Sequence, residues 1–170
     1  MSADFCAPPP AYVLKPEQLA WSDGIEDLLD RAFGPGRFVK VSERVREFAA
    51  FAPELSFCAF EGETLVGVVR LWRVTVGAQA VIFLGPLAVD PGQQSAGVGG
   101  LLVEKACAAA KAVGEAWVVL VGDPPYFQRF GFDVAAAQAV RLPGPVDQKR
   151  VQALKLSADA APLAGLMGPV

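Results

Sequence analysis

The 170-residue chain is 53% hydrophobic and carries a net charge of −3, with a pI near 5.0 and a mean hydropathy of +0.37. This length suits one domain, and this apolar content predicts a large core rather than disorder. The chain has no basic run and no uninterrupted apolar stretch of membrane-helix length. Neither nucleic acid nor a membrane is therefore an expected partner.

The beginning of the chain lacks the basic and apolar segments of a signal peptide, which predicts a cytoplasmic protein. Residues 1–11 contain three consecutive prolines and predict a flexible leader. The remainder, residues 12–170, is expected to form a single domain.

The first elements of this domain are predicted to be a short strand and two helices. Tyr12–Leu14 resemble a strand, and apolar residues at helical spacing predict a helix over Glu17–Phe33. Ser42 is the predicted N-cap of the second helix, which Pro53 is expected to end.

The middle of the chain predicts an antiparallel meander followed by a βαβ unit. Two apolar runs separated by "EGET" form a hairpin, and a turn near Gly77 leads to a third strand that ends near Val89. A helix is predicted from Gly97 to Val113, with Gly114 as its stop. The following "AWVVLV" is the continuous apolar strand of a buried parallel sheet. "PPYFQRFGF" is then a short helix or turn, and "VQALKL" is the last strand.

Three glycines, Gly97, Gly99 and Gly100, open the predicted helix, although each costs about 0.5–1 kcal/mol relative to alanine. A helix start offers N–H groups without internal partners, and glycine lets a phosphate approach them closely. The alternative is close packing of the helix on the sheet. The loop lacks the Lys-Ser/Thr pair of nucleoside-triphosphate sites, and Leu102 replaces a glycine of the dinucleotide motif.

The segment Gln94–Gly99 resembles the Gln/Arg-x-x-Gly-x-Gly/Ala loop of the GCN5-related N-acetyltransferase (GNAT) family, which binds the coenzyme A diphosphate. The preceding "PLAVDP" and the following "YFQRFGF" also resemble segments of that family, in the same order. Together with the tail "LPGPV…QALKL", they are similar to its YhbS-like bacterial branch.

The resemblance implies the α/β (α+β) GNAT fold: an antiparallel N-terminal meander, a central βαβ unit with splayed parallel strands, and helices on both faces of a mixed sheet. Acetyl-CoA would lie between Phe83–Val89 and Trp117–Val121. Pro86 supports a break in the sheet, since it has no N–H, and Gly85 suggests a bulge; an ordinary edge strand is the alternative.

The resemblance also implies a reaction in which a primary amine attacks the thioester directly within a ternary complex. The backbone N–H of Leu87 or Val89 would polarise the thioester oxygen. The predicted coenzyme-binding residues are Leu87, Ala88, Val89, Gln94, Ser95, Ala96, Gly97, Val98, Gly99, Gly100, Tyr126 and Phe127. No metal is expected.

The general acid is where this chain departs from the family. The usual tyrosine position holds Phe127, and Tyr126 is one residue earlier. Either Tyr126 acts as the acid, or Phe127 packs on the coenzyme and solvent protonates the thiolate. The chain contains no histidine. Three carboxylates near strand ends are considered as the base without one being assigned: Glu61, Asp90 and Asp123.

The acceptor site is expected at the first two helices, where a basic cluster follows acidic residues, and Trp72 either lines that pocket or packs in the core. The predicted function is an acetyl-CoA-dependent N-acetyltransferase acting on an amine of a small molecule or protein, as a monomer or a homodimer. The alternative is a non-catalytic acyl-CoA-binding sensor or regulatory module.

Overall fold

The computed structural model describes residues 11–94 and 96–170. Almost all of the predicted leader, and the predicted loop residue Ser95, lie outside the described residues. No helix among the described residues is long and apolar enough to cross a membrane.

The N-terminal elements differ from the prediction at their boundaries. Strand β1 spans Tyr12–Pro16, and helix α1 spans Ser22–Phe33. The helix does not begin at Glu17, because the Glu17 N–H donates to the Ser56 carbonyl and its carboxylate pairs with Arg70. Such a contact between distant residues leaves no periodic trace in the local sequence.

Helix α2 spans Val41–Phe48. Its N-cap is Lys40, so the prediction of Ser42 as the cap is wrong; Lys40 has extended backbone angles and makes no side-chain capping bond. The helix ends before Pro53, because strand β2 (Ala50–Phe51) pairs with the middle of the meander.

The remaining elements follow the predicted order. They are β3 (Phe57–Glu61), β4 (Thr64–Val76), β5 (Gln79–Val89), α3 (Val98–Ala112), β6 (Trp117–Val121), α4 (Pro124–Phe127), β7 (Val140–Arg141), β8 (Val151–Lys155) and β9 (Gly165–Gly168). Gly114 has φ +87° and its N–H donates to the Lys111 carbonyl, as expected of a helix stop. The prediction of β8 as the last strand is wrong, since β9 follows it and pairs with β4 and β7.

These strands form a mixed nine-stranded sheet whose central order is β1-β3-β4-β5-β6-β8. The pairs along this path are antiparallel except for β5 and β6, which are parallel, as the βαβ pattern predicted.

Helices pack on both faces of this sheet. On one face, α3 buries residues such as Leu102 and Ala106 against the central strands. On the other, α1 contacts a cluster that includes Val68, and α2 contacts one that includes Phe83. At the ends of β5 and β6 nearest α4, residues of all three elements line a cavity.

Candidate active site

The two parallel strands separate after two residue pairs. Strands β5 and β6 pair at Ile82–Val118 and Phe83–Val119 and nowhere further along. The β4–β5 register shifts at the same level, so that Gly85 and Pro86 oppose a single residue of β4. The pairing of β5 with β6 therefore ends just before the Gly85–Pro86 bulge, as this pair of residues predicted, whereas the pairing of β5 with β4 resumes at Leu87.

Trp72 holds this break from the neighbouring strand. Its Nε1–H donates to the Gly85 carbonyl over 2.7 Å, and its ring packs against Phe51 with centroids 4.9 Å apart. The sequence predicted that Trp72 either lines the acceptor pocket or packs in the core. Trp72 packs, and it does not line the cavity that lies between the ends of β5 and β6. A carbonyl that the bulge removes from the sheet ladder is thereby satisfied.

A groove of about 700 Å³ lies beside the glycine loop; we call it the loop groove. Gly97 is the N-cap of α3 with φ +83°, a left-handed conformation that disfavours other residues. Nothing lies within 4 Å of the position its Cβ would occupy. Seven of the predicted coenzyme-binding residues line the loop groove: Leu87, Val89, Gln94, Gly97, Gly99, Gly100 and Tyr126.

The three glycines at the start of α3 have different surroundings, and the close contacts of two of them are mainly with the aromatic segment rather than with the sheet. Gly97 is required by its conformation and faces open space, whereas Gly99 and Gly100 are in contact with side chains of the aromatic segment. A Cβ at Gly99 would lie 2.7 Å from the Tyr126 hydroxyl, and one at Gly100 would lie 3.4 Å from Phe130. The Tyr126 hydroxyl thus stands over the first turn of α3, where the helix presents its free N–H groups.

Arg129 also lines the loop groove, although the sequence did not single it out. Its guanidinium lies 4.6 Å from the Tyr126 ring centroid and 5.2 Å from that of Phe130. The signal available in the sequence was its place three residues after Tyr126 in the same aromatic segment. Together with Glu104, it supplies the charged side chains among the described residues of this groove.

A second cavity, of about 460 Å³, occupies the space where β5 and β6 separate; we call it the strand-end cavity. Its apolar lining includes Pro86 and Phe127, and the Phe127 ring packs directly on Gly122 at the end of β6. Leu87 lines both this cavity and the loop groove, so the two are neighbours. The consecutive residues Tyr126 and Phe127 therefore face different cavities.

The remaining predicted site residues have side chains that point elsewhere. Ala88 and Val98 are buried in the core and could offer only backbone groups to a ligand. Ala96 is exposed but does not line the loop groove. Their binding roles, like those of the residues above, remain predictions.

Of the three carboxylates considered as a base, only Asp123 lines the strand-end cavity. Asp90 forms an ion pair with Arg31 at 3.2 Å and caps the Gly92 N–H. Glu61 lies at the far end of β3, opposite Tyr12 of β1.

Two arginines of the basic cluster at the first two helices and their connection form ion pairs with carboxylates. Arg37 is 5% exposed, and its guanidinium lies 2.6 Å from Glu26 and 3.1 Å from Asp30. Arg46 pairs with Glu43, and burial, followed by the nearby charges of other arginines, lowers the pKa of Arg46 to about 10. Arg46 therefore remains a cation at neutral pH.

The cysteines that the structure describes take no part in the site. Cys58 and Cys107 are buried, and burial raises the pKa of each thiol to about 12. Among the described residues, no three His, Cys, Asp or Glu side chains are grouped as metal ligands would be.

The family model for the acetyltransferase (GNAT) family matches residues 22–132, which include the meander, the glycine loop and the aromatic segment. The chain belongs to the GNAT family. The predicted fold and the predicted class of enzyme, an N-acetyltransferase, are therefore confirmed.

Relatives within the family support the same assignment. The chain is 32% identical over 149 residues to the uncharacterized N-acetyltransferase YhbS of Escherichia coli strain K12, covering 86% of this chain and 87% of the relative. The crystal structure of E. coli YhbS in complex with CoA covers 95% of this chain and 91% of its own, with a TM-score of 0.79 and 28% identity. A Brucella melitensis GNAT family acetyltransferase in complex with acetyl-CoA has a TM-score of 0.70 at 23% identity, covering 95% and 97% of the two chains.

Proposed function

We propose that this N-acetyltransferase uses acetyl-CoA and transfers the acetyl group to a primary amine bound in the strand-end cavity. The observation that carries the proposal is the junction of the two cavities at Leu87, beside the break between β5 and β6. A diphosphate in the loop groove and a thioester at Leu87 are then joined along the Leu87–Val89 segment of β5, which pairs with β4 and has no partner on its β6 side. YhbS and the Brucella enzyme, crystallised with CoA and acetyl-CoA, support this choice of co-substrate.

Residues of this chain supply the groups that such a ligand needs. The first turn of α3 offers N–H groups and the positive end of a helix dipole to the diphosphate, and Gly97 leaves the approach open. The strand segment from Leu87 to Val89 offers backbone groups to the amides of the pantetheine arm. One N–H of this segment polarises the thioester carbonyl, which acetyl-CoA supplies as the acyl donor.

Tyr126 contributes to coenzyme binding in this proposal, and solvent protonates the leaving thiolate. Its hydroxyl lies over Gly99 in the loop groove, away from the strand-end cavity that Phe127 lines. The reaction forms a bond between the amine nitrogen and the acetyl carbon and breaks the bond to sulfur. The ammonium loses two protons in total, one of which ends on the thiol and one in solvent.

The test is release of free CoA thiol from acetyl-CoA with a panel of primary amines, together with calorimetric titration of CoA. The Tyr126→Phe variant should bind CoA about tenfold more weakly and keep the wild-type kcat at saturating acetyl-CoA, because a hydrogen bond to an anion contributes about 1.5–3 kcal/mol. A loss confined to kcat, with CoA affinity unchanged, would instead identify Tyr126 as the acid.

A second candidate function is a non-catalytic acyl-CoA-binding module. It is favoured by one observation, the position of Phe127 in the strand-end cavity where the family's tyrosine is expected. Tight CoA binding without thiol release for any amine, accompanied by a coenzyme-dependent change in assembly, would support it. The cytoplasmic location and the homodimer remain predictions.

A further inference from the structure

The wall of the strand-end cavity formed by β6 and the residues before β8 has excess negative charge. It carries Asp123, Asp147 and Arg150. The Asp123 carboxylate has no ion-pair partner within 4 Å among the described residues, and one Asp147 oxygen accepts only the Lys149 backbone N–H at 3.1 Å. The Arg150 Nε–H donates to the Gly122 carbonyl at 3.4 Å. Two carboxylates and one guanidinium leave this wall able to receive a cation.

The part of the lining at the start of α2 presents an unpaired cation. Lys40 is exposed, and its Nζ lies 4.6 Å from the Phe33 ring centroid. No carboxylate of the described chain lies within the 4 Å limit of an ion pair with it. The other charged residues in this part of the lining already have partners: Arg37 pairs with Glu26 and Asp30, and Glu43 pairs with Arg46.

We propose that the acceptor is a small amine that also carries an anionic group. Its ammonium is held by Asp123, and its anionic group is held by Lys40 in the lining of the same cavity. This inference rests on the proposed function and specifies its substrate class. The volume of about 460 Å³ suits a small molecule, and the apolar surface that Pro86 and Phe127 contribute to the lining suits an aliphatic linker.

Asp123 lies beside Phe127 in the lining of the strand-end cavity, where the amine is proposed to bind. Gly122 alone separates it from the end of β6, and its backbone carbonyl accepts the N–H groups of Tyr126 and Phe127, so it belongs to the turn that presents Phe127 to the cavity. The ammonium gives one proton to the Asp123 carboxylate, which passes it to solvent. The neutral amine then attacks the thioester, and the second proton leaves as the carbon–sulfur bond breaks.

The test compares 5-aminopentanoate with pentylamine, which differ only in the anionic end. Each is titrated calorimetrically into the protein loaded with CoA, which cannot transfer an acetyl group, so binding is measured apart from turnover. We expect 5-aminopentanoate to bind at least about tenfold more tightly, because a charge-assisted hydrogen bond contributes that much. Lys40→Gln should remove this preference and leave pentylamine binding unchanged.

Lys111→Gln, on the exposed surface of α3, is the matched control and should keep the preference. Asp123→Asn should weaken the binding of both amines and, with acetyl-CoA, lower kcat. Thermal unfolding of each variant verifies that it folds. Equal affinities of the two amines, or a Lys40→Gln effect common to both, would overturn the inference. Selective binding without any thiol release from acetyl-CoA would overturn the proposed function alone.

Discussion

Substituting Gly99 by alanine separates the stability of α3 from its binding function. Gly99 lies in the first turn of the helix, where alanine is favoured over glycine by about 0.8–1 kcal/mol. The added methyl carbon would lie 2.7 Å from the Tyr126 hydroxyl and 3.5 Å from Val89. The second distance is an ordinary contact, so the tyrosine alone must move.

The required movement is small but lies at the proposed diphosphate site. An ordinary contact begins near 3.4 Å, so the hydroxyl must withdraw by about 0.7 Å. A hydrogen bond lengthened by this amount from its usual 2.7–2.8 Å is strongly weakened. We therefore expect Gly99→Ala to leave the free energy of unfolding unchanged or slightly higher, and to weaken CoA binding about tenfold.

A double-mutant cycle with Tyr126→Phe identifies the cause. Phenylalanine lacks the hydroxyl, and its ring carbon at the Cζ position would be 3.9 Å from the new methyl carbon. In this background Gly99→Ala should cost little further affinity, as measured by calorimetric titration of CoA, with urea unfolding as the control for stability. Equal losses in both backgrounds would refute the reasoning, because the methyl would then act on the ligand without Tyr126.

Three further predictions concern the surroundings of the site. Gly122→Ala should lower the free energy of unfolding by about 1–3 kcal/mol in urea titrations, because the methyl would meet the Phe127 ring 2.7 Å from Cδ2 in a packed region. Burial raises the pKa of Glu26. The hydrogen bonds and charges of Arg37 and Arg70 lower this pKa by more than burial raises it, so the net shift is downward. The ionised Glu26 carboxylate therefore stabilises the fold above its unfolded pKa of about 4.3, and this contribution is lost as the pH falls through the lower folded pKa. Arg37→Met should flatten the acid side of the profile of unfolding free energy against pH, measured by urea titration. An unchanged profile would contradict the assignment. In a Cys6→Ser variant, the two buried cysteines should not react with an aromatic disulfide reagent at about pH 8 until the protein is denatured, since the folded thiols have pKa values of about 12.

Local patterns predicted the central part of the fold well. The third strand of the meander ends at Val89, and the helix over residues 98–112 is bounded by glycines at both ends. These features depend on the backbone preferences and the apolar periodicity of neighbouring residues, and both can be recognised in the sequence. The Gly85–Pro86 break is of the same kind, since proline has no N–H wherever it stands.

Predictions that depended on distant partners were less accurate. The first helix begins at Ser22 because Glu17 pairs with Arg70, and β9 exists because its neighbours in the sheet are β4 and β7. Neither partner is close in the chain. Short strands such as β7 and β9 have too few residues for a period to be visible, so tertiary pairing alone defines them.

The sequence by itself determined the glycine-opened helix, the parallel pair of strands and the family resemblance, because each is written in consecutive residues. The tertiary structure alone decided that Tyr126 faces the loop groove while Phe127 faces the strand-end cavity, and that Asp123 reaches this cavity whereas Asp90 does not. The physical reason is that the direction of a side chain relative to a remote element depends on how the helices and the sheet pack. That packing brings Lys40 and Asp123 into the lining of one cavity, although most strands of the central sheet lie between these two residues in the sequence.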